Sequence, residues 1–328
     1  MNRLLDTVPR RAIWALVALL ALLLVAPAAV SPYLLSALVL MLYFACVGQS
    51  WNLMMGFAGL LSLGHALYAG LGGYVAAALW VHFGIGPWLG APVAALIAAA
   101  AGGVIGALAF RFRVGGVYFA LLTIAFAEFT RIGFEHFDWV GGAGGFFLPV
   151  AAQADPIDLR GGPILFYYLL LALTACLFLL CRGLSTSRIG YYWIAIREDE
   201  EAARALGIDV THYKLLAITL SAALTALGGT IIAFYGNVLS PGDAFGAQRS
   251  IEMILAPLVG GIGTLFGPLL GAAALSLLGE GLRWAIDAAG IQLPGLTQLV
   301  YGVVLLLVVR FLPHGIWPAL ARRLRLER

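Results

Sequence analysis

Charge is scarce in this chain. Of 328 residues only 11% are Asp, Glu, Lys or Arg, against about 25% in soluble domains. Hydrophobic residues make up 62%, more than a soluble fold can bury, so an integral membrane protein is implied. The apolar runs exceed strand length and lack period-two alternation, which excludes an outer-membrane barrel. Lysine is nearly absent. Lys214 is the only one, and it follows Tyr213. A phosphate-cradling loop needs Gly-Lys-Ser/Thr, so the chain carries no such loop. Cysteine is also sparse: Cys46, Cys176 and Cys181 lie in or beside apolar segments, match no metal spacing, and read as buried thiols. His65, His82, His136, His212 and His314 are scattered. With no metal cluster and no Ser-His-Asp signature, an enzyme reading has no support. The net charge of +3 is too small to point to nucleic acid.

What is present is a series of apolar segments, near 12–30, 33–55, 57–80, 88–110, 115–134, 163–182, 213–235, 250–262, 265–282 and 296–312. They predict an all-α, polytopic transmembrane helical bundle of about ten spans (8–10), forming one domain over 1–328. The first segment reads as a span and not as a cleaved leader. The segments 250–262 and 265–282 are short and hinged by Gly260, Gly261, Gly263 and Pro268; two steep helices or one re-entrant pair both fit. Fifteen of the nineteen basic residues fall on one side of this topology. Only Arg131, Arg160, Arg249 and Arg283 fall on the other. The positive-inside rule then makes both termini and the 183–212 loop cytoplasmic, with 135–162 the largest external loop. Spans two to five begin outside and seven to ten inside, which suggests an inverted four-helix repeat. Glycine-rich stretches near 56–73 and 258–271 are its sequence support.

The 196–209 stretch, "IREDEEAARALGID", is a charged element in an apolar protein. Glu198, Asp199, Glu200 and Glu201 crowd its start, where a helix dipole favours negative charge. Arg197 and Glu201, and Glu200 and Arg204, are four apart and set to pair. Ala202, Ala203, Ala205 and Leu206 form a low-relief surface, and Gly207 is placed to stop the helix in a left-handed conformation. Such a stub fits a groove on a partner; a solvated cytoplasmic helix is the plain alternative.

Polar residues within spans are the other candidates, because they are costly in lipid. Asn52, Ser62, His65, Thr123 and Glu128 are candidates for a translocation path. Each has a structural alternative: helix–helix glue for Asn52, a bond holding the 62–64 turn for His65, an interhelical bond or loop anchor for Glu128. Glu128, Glu252 and Glu280 fall near the outer ends of their spans.

Four blocks carry a family resemblance: "WNLMMGFAGLLSLGHALYAGLGGY" (51–74), "GGVYFALLTIAFAEFTR" (115–131), "IREDEEAARALGIDVTHYKLL" (196–216) and "GGIGTLFGPLLGAA" (260–273). In this order they resemble branched-chain amino-acid ABC importer permeases of the LivM type. The resemblance implies an inner-membrane subunit that pairs with a second homologous permease. Two ABC ATPase subunits, which bind the ATP and Mg, and a periplasmic substrate-binding protein complete the assembly. No cofactor belongs to this chain. The resemblance also implies that Arg197, Glu198, Glu200, Glu201, Ala202, Ala203, Arg204 and Gly207 form the loop that docks on an ATPase. Glu201 departs from the pattern, where relatives carry an apolar residue. Leucine, isoleucine and valine are the implied cargo, with urea, amides or aromatic acids as alternatives. A secondary transporter would show central ion-coupling charges and a channel a repeated filter; neither is evident.

Overall fold

The computed structural model describes residues 23–149 and 158–288, and near the C-terminus 299, 302–303, 306, 310 and 315–324. The first and last expected spans lie largely outside these residues, as do both termini. Among the described residues seven helices are long and apolar enough to cross a membrane. In chain order these are α1 (Pro32–Asn52, continued by a π-helical turn Leu53–Phe57), α2 (Ala66–Phe83), α3 (Pro87–Arg111) and α4 (Gly116–Glu135). After them come α5 (Pro163–Ser185), α8 (Val210–Gly236) and α11 (Gly267–Ala288). Between α5 and α8 lie two short helices, α6 (Arg188–Glu198) and α7 (Glu200–Ala205). Between α8 and α11 lie α9 (Pro241–Phe245) and α10 (Ala247–Gly260), and α12 (Ile316–Leu324) closes the described chain. Two short strands, β1 (Phe146–Phe147) and β2 (Val238–Leu239), pair antiparallel with Phe146 opposite Leu239.

Local chemistry sets the helix ends. Ser31 caps α1 ahead of Pro32 at the first helical position. Asp209 accepts from the His212 amide to cap α8, and Gly84 ends α2 at φ 65°. Small residues let the helices approach. A Cβ on Gly72 would fall 2.6 Å from the Ala226 Cα, and one on Gly229 would fall 2.7 Å from the Ala69 Cα. The α2–α8 crossing is therefore a backbone-to-backbone contact of the kind membrane helices use in place of a hydrophobic drive. Replacing Gly229 by valine should lower the thermal midpoint in detergent through overpacking of about 1–3 kcal/mol. An unchanged midpoint would contradict this close crossing. The outward faces remain apolar, with Leu96, Phe129 and Leu277 exposed. Cys46 and Cys181 are buried as expected, but Cys176 is exposed on the outer face of α5, because its helical position turns it away from α1 and α8.

One end of the bundle is basic. Lys214 pairs with Glu200 and lies over the Phe110 ring, and Arg197 reaches Gly56. At the opposite end Arg160 sits over Trp80 at 4.2 Å and donates to the Asn237 side-chain oxygen at 3.1 Å. Burial pulls the Arg160 pKa down, and Asp158 offsets part of that.

The 250–282 region resolves in a specific way. After α8 the chain folds back along α2: Tyr74 donates to the Leu239 carbonyl, Phe245 packs at Gly70, and Ser250 accepts from the Ala66 amide. Then α10, only 14 residues long, completes the passage to the basic end. It is short of the roughly 20 residues a full span needs. The full-length helix of the pair is α11, with 22 residues. Of the glycine-rich stretches near 56–73 and 258–271, Gly56 packs against Gly263 at the basic end, while Gly70, Gly72 and Gly73 line the α2 contacts with Phe245 and α8.

Candidate functional site

Two breaks in the helical framework lie together at the basic end. The first, after α1, is the π-helical turn and the irregular 58–65 segment; the second is the 261–266 connection between α10 and α11. Where such irregular backbone is buried, it must find its hydrogen bonds within the protein. Asn52, fully buried, supplies two: its Oδ1 accepts from the Gly263 amide at 2.7 Å and its Nδ2 donates to the Thr264 carbonyl at 2.9 Å. Trp51 donates to the Ser62 carbonyl at 2.8 Å, and Thr123 of α4 accepts from the Leu63 amide at 3.1 Å. His65 Nε2 lies 2.9 Å from Thr225 Oγ1 and 3.2 Å from Ser221 Oγ, both on α8.

Asn52, Ser62, His65 and Thr123 are thus gathered around the first break, all buried. The 62–64 turn is held by Trp51 and Thr123; His65 ties the start of α2 to α8 instead. Glu128 is apart from them. It is about half exposed near the far end of α4 and pairs with Arg131 at 2.6 Å, while Arg131 also holds Glu135. Glu252 pairs with Arg249, and Glu280 with Arg283 and the Tyr33 hydroxyl. Near the same far end, a cavity of about 300 Å³ opens between α1, α2 and α8, lined by Leu40, Tyr43, Ile232, Asp243 and Arg249.

The charged element at the basic end differs in one respect from its expected form. A single helix from 198 is interrupted at Asp199, whose backbone is extended at φ −156° and ψ 110°. Its side chain accepts from the Glu201 and Ala202 amides at 2.9 and 3.0 Å, an N-cap for α7. The break takes Arg197 and Glu201 off a common helix face. Arg197 pairs with Glu198 instead, at 2.8 Å. Glu200 and Arg204 pair as expected at 2.6 Å, and Glu200 also holds Lys214. Ala203 is buried in a small cluster with Ile196 and Val210. Ala202, Ala205 and Leu206 face outward, Leu206 with 80% of its surface exposed. Gly207 adopts φ 84°, the left-handed stop its position predicted.

Ser221, Thr225 and Ser250 escaped the sequence reading because single hydroxyls in apolar helices carry no spacing signal, and Thr264 escaped it because its part is played by a backbone carbonyl in a connection. Asp199 was read only as part of the acidic helix start; the signal for its capping role was there, since an Asp directly ahead of paired glutamates is a cap signature.

Residues 33–309 match the family described as the permease component of branched-chain amino acid transport systems. The chain is 32% identical over 340 aligned residues to the high-affinity branched-chain amino acid transport system permease protein LivM of Escherichia coli K12, covering 95% of this chain and 76% of that one. LivM of Salmonella typhimurium LT2 is 30% identical, covering 87% of this chain and 70% of its own. A fructose import permease protein, FrcC of Rhizobium meliloti, is 30% identical over 46% of this chain and 42% of its own. No solved structure matches. With these relatives and seven apolar helices, the chain is a multi-pass inner-membrane protein. It belongs to the family of ABC permease components of branched-chain amino acid transport systems.

Proposed function

We propose that this chain is the LivM-type half of a permease pair that imports leucine, isoleucine and valine. A periplasmic binding protein delivers the substrate, and two separate ATPase subunits bind ATP and Mg and drive the cycle. The chain itself does no catalysis. The observation that carries the coupling role is α7 and its flank. A six-residue helix, capped by Asp199 and anchored by Ala203, presents Ala202, Ala205 and a bare Leu206 outward. An exposed leucine among charges at the basic end fits an apolar notch on a soluble partner. In this reading 183–212 is the cytoplasmic coupling loop, 135–162 faces the periplasm, and both termini are cytoplasmic. Near-complete coverage by the two LivM proteins supports the substrate class; the sugar permease matches over less than half of the chain.

The decisive experiment is ATP-driven uptake by the reconstituted importer with labelled leucine, isoleucine, valine, urea, an aromatic acid and fructose. Saturable uptake confined to the three aliphatic amino acids is expected. Uptake of any other ligand in their place would overturn the substrate assignment. The sidedness has its own check: cysteines introduced at Thr186 or Ser187 should resist a membrane-impermeant thiol reagent in intact cells. Ready labelling from outside would reverse the topology.

A further inference from the structure

Arg197 occupies the last turn of α6, beside the Asp199 break that leads into α7. One arm of its guanidinium, NH1, donates to the Gly56 carbonyl at the end of the π-helical turn. The other, Nε and NH2, holds Glu198 at 3.3 and 2.8 Å. Both helix breaks close on this side chain. A Cβ on Gly59 would lie 2.9 Å from Arg197 Cγ, and one on Gly263 would lie 3.0 Å from its NH1. Gly59 and Gly263 also take φ of 73° and 76°, which side chains rarely adopt. A Cβ on Gly56 would lie 2.6 Å from the Gly263 amide nitrogen. Gly59 and Gly263, from two distant stretches, thus make room for the Arg197 side chain, Gly56 lets the two breaks approach each other, and Asn52 binds those breaks together.

The middle of α6 is tied to the start of α8, because the Trp193 indole donates to the Tyr213 carbonyl at 2.8 Å. Its last turn is shared with α7 through the Ile196–Ala203–Val210 cluster. α7 is also tied to α8 by the Glu200–Lys214 pair and Val210, so a push on α7 is delivered to α8 and, through Ile196, to the turn that carries Arg197. We infer that Arg197 is the positioning residue through which a push on α7 reaches the π-helical turn of α1 and the α10–α11 connection. Irregular segments can change φ and ψ without breaking a helix, so they are where such a push can be converted into opening or closing. A guanidinium suits the task because it holds a carbonyl and a carboxylate at once in a fixed fork, which an ammonium on a flexible stem cannot.

This inference rests on the proposed importer role, and one experiment separates the two. The full importer is reconstituted in proteoliposomes, and leucine uptake and ATP hydrolysis are measured on the same sample. For Arg197→Ala the ATPases should still co-purify and hydrolyse ATP, while leucine carried per ATP falls about tenfold, the scale of a lost coupling contact. Arg197→Lys keeps the charge but puts its donors on a single nitrogen without the fork, and should fall in between. A bare structural cap for Gly56 would instead lower protein amount, uptake and hydrolysis together and leave the ratio unchanged; that result overturns the inference. Should Arg197→Ala fail to accumulate, Arg197→Lys and Glu198→Gln decide: a normal ratio in both overturns it, and a reduced ratio in Arg197→Lys upholds it. If the unaltered importer hydrolyses ATP without moving leucine, the proposed function falls and takes this inference with it. Normal uptake by the unaltered importer with an unchanged ratio in Arg197→Ala overturns the inference alone.

Discussion

Replacing Gly207 by proline should reduce uptake about a hundredfold while leaving membrane insertion intact. Gly207 adopts φ 84° and its amide donates to the Arg204 carbonyl at 2.9 Å. Proline fixes φ near −65° and has no amide hydrogen, so it fails on both counts, at a cost of about 3 kcal/mol or more. The strain falls on α7 and not on a span, because a Cβ at Gly207 meets nothing within 4 Å. Only the path of the chain from Leu206 to Val210 is changed. The companion variant Glu200→Lys removes the partner of both Arg204 and Lys214 and sets three positive charges together at the α7 start. The readout is co-purification of the ATPases beside uptake, with a conservative change at Leu270 as control. Full uptake by both variants would remove the docking role from α7. Loss of the chain from the membrane would instead show that the loop is needed for folding.

Asn52→Leu carries the second large effect. Leucine matches the size but neither bond, so the Gly263 amide and the Thr264 carbonyl both lose their partner in a half-buried break. Each buried group left without a partner costs about 1–3 kcal/mol. For two such groups, both half-buried, a loss toward the low end of about 2–6 kcal/mol is therefore expected, read as a lower midpoint in denaturation of the detergent-purified chain. Asn52→Gln, with a longer stem, should recover less than half of it, since the side chain is fully buried and its two partners are adjacent residues. A midpoint within the range of ordinary surface changes, about 0.5 kcal/mol, would mean that the two breaks do not depend on this bridge.

The charged stub shows how far local sequence reaches. The Glu200–Arg204 pair and the left-handed Gly207 were legible because both depend only on residues a turn away. Arg197 was placed correctly in the loop but given the wrong partner. Its choice of Glu198 and Gly56 follows from the Asp199 break and from a carbonyl 141 residues distant, and no spacing rule reports such a distance. His65 was legible as a buried hydrogen-bonding residue, yet its partners, Ser221 and Thr225, come from a helix that packing brings alongside. The region 250–262 was read as an apolar segment, which it is. That its helix is too short to cross alone was settled by the fold-back along α2, where Gly70 admits Phe245.

By itself the sequence determined the class of the protein, because composition and apolar run length leave no other place for so much hydrophobic surface. It also determined the uneven distribution of arginine between loops and, through four blocks in order, the family. The tertiary structure alone decided what the polar residues in the spans do. A buried irregular amide must find a protein partner, and those partners lie on other helices. Asn52, His65 and Thr123 became the fasteners of two facing breaks, and Arg197 became their link to α7, only once α1, α4, α8 and the α10–α11 connection were set side by side.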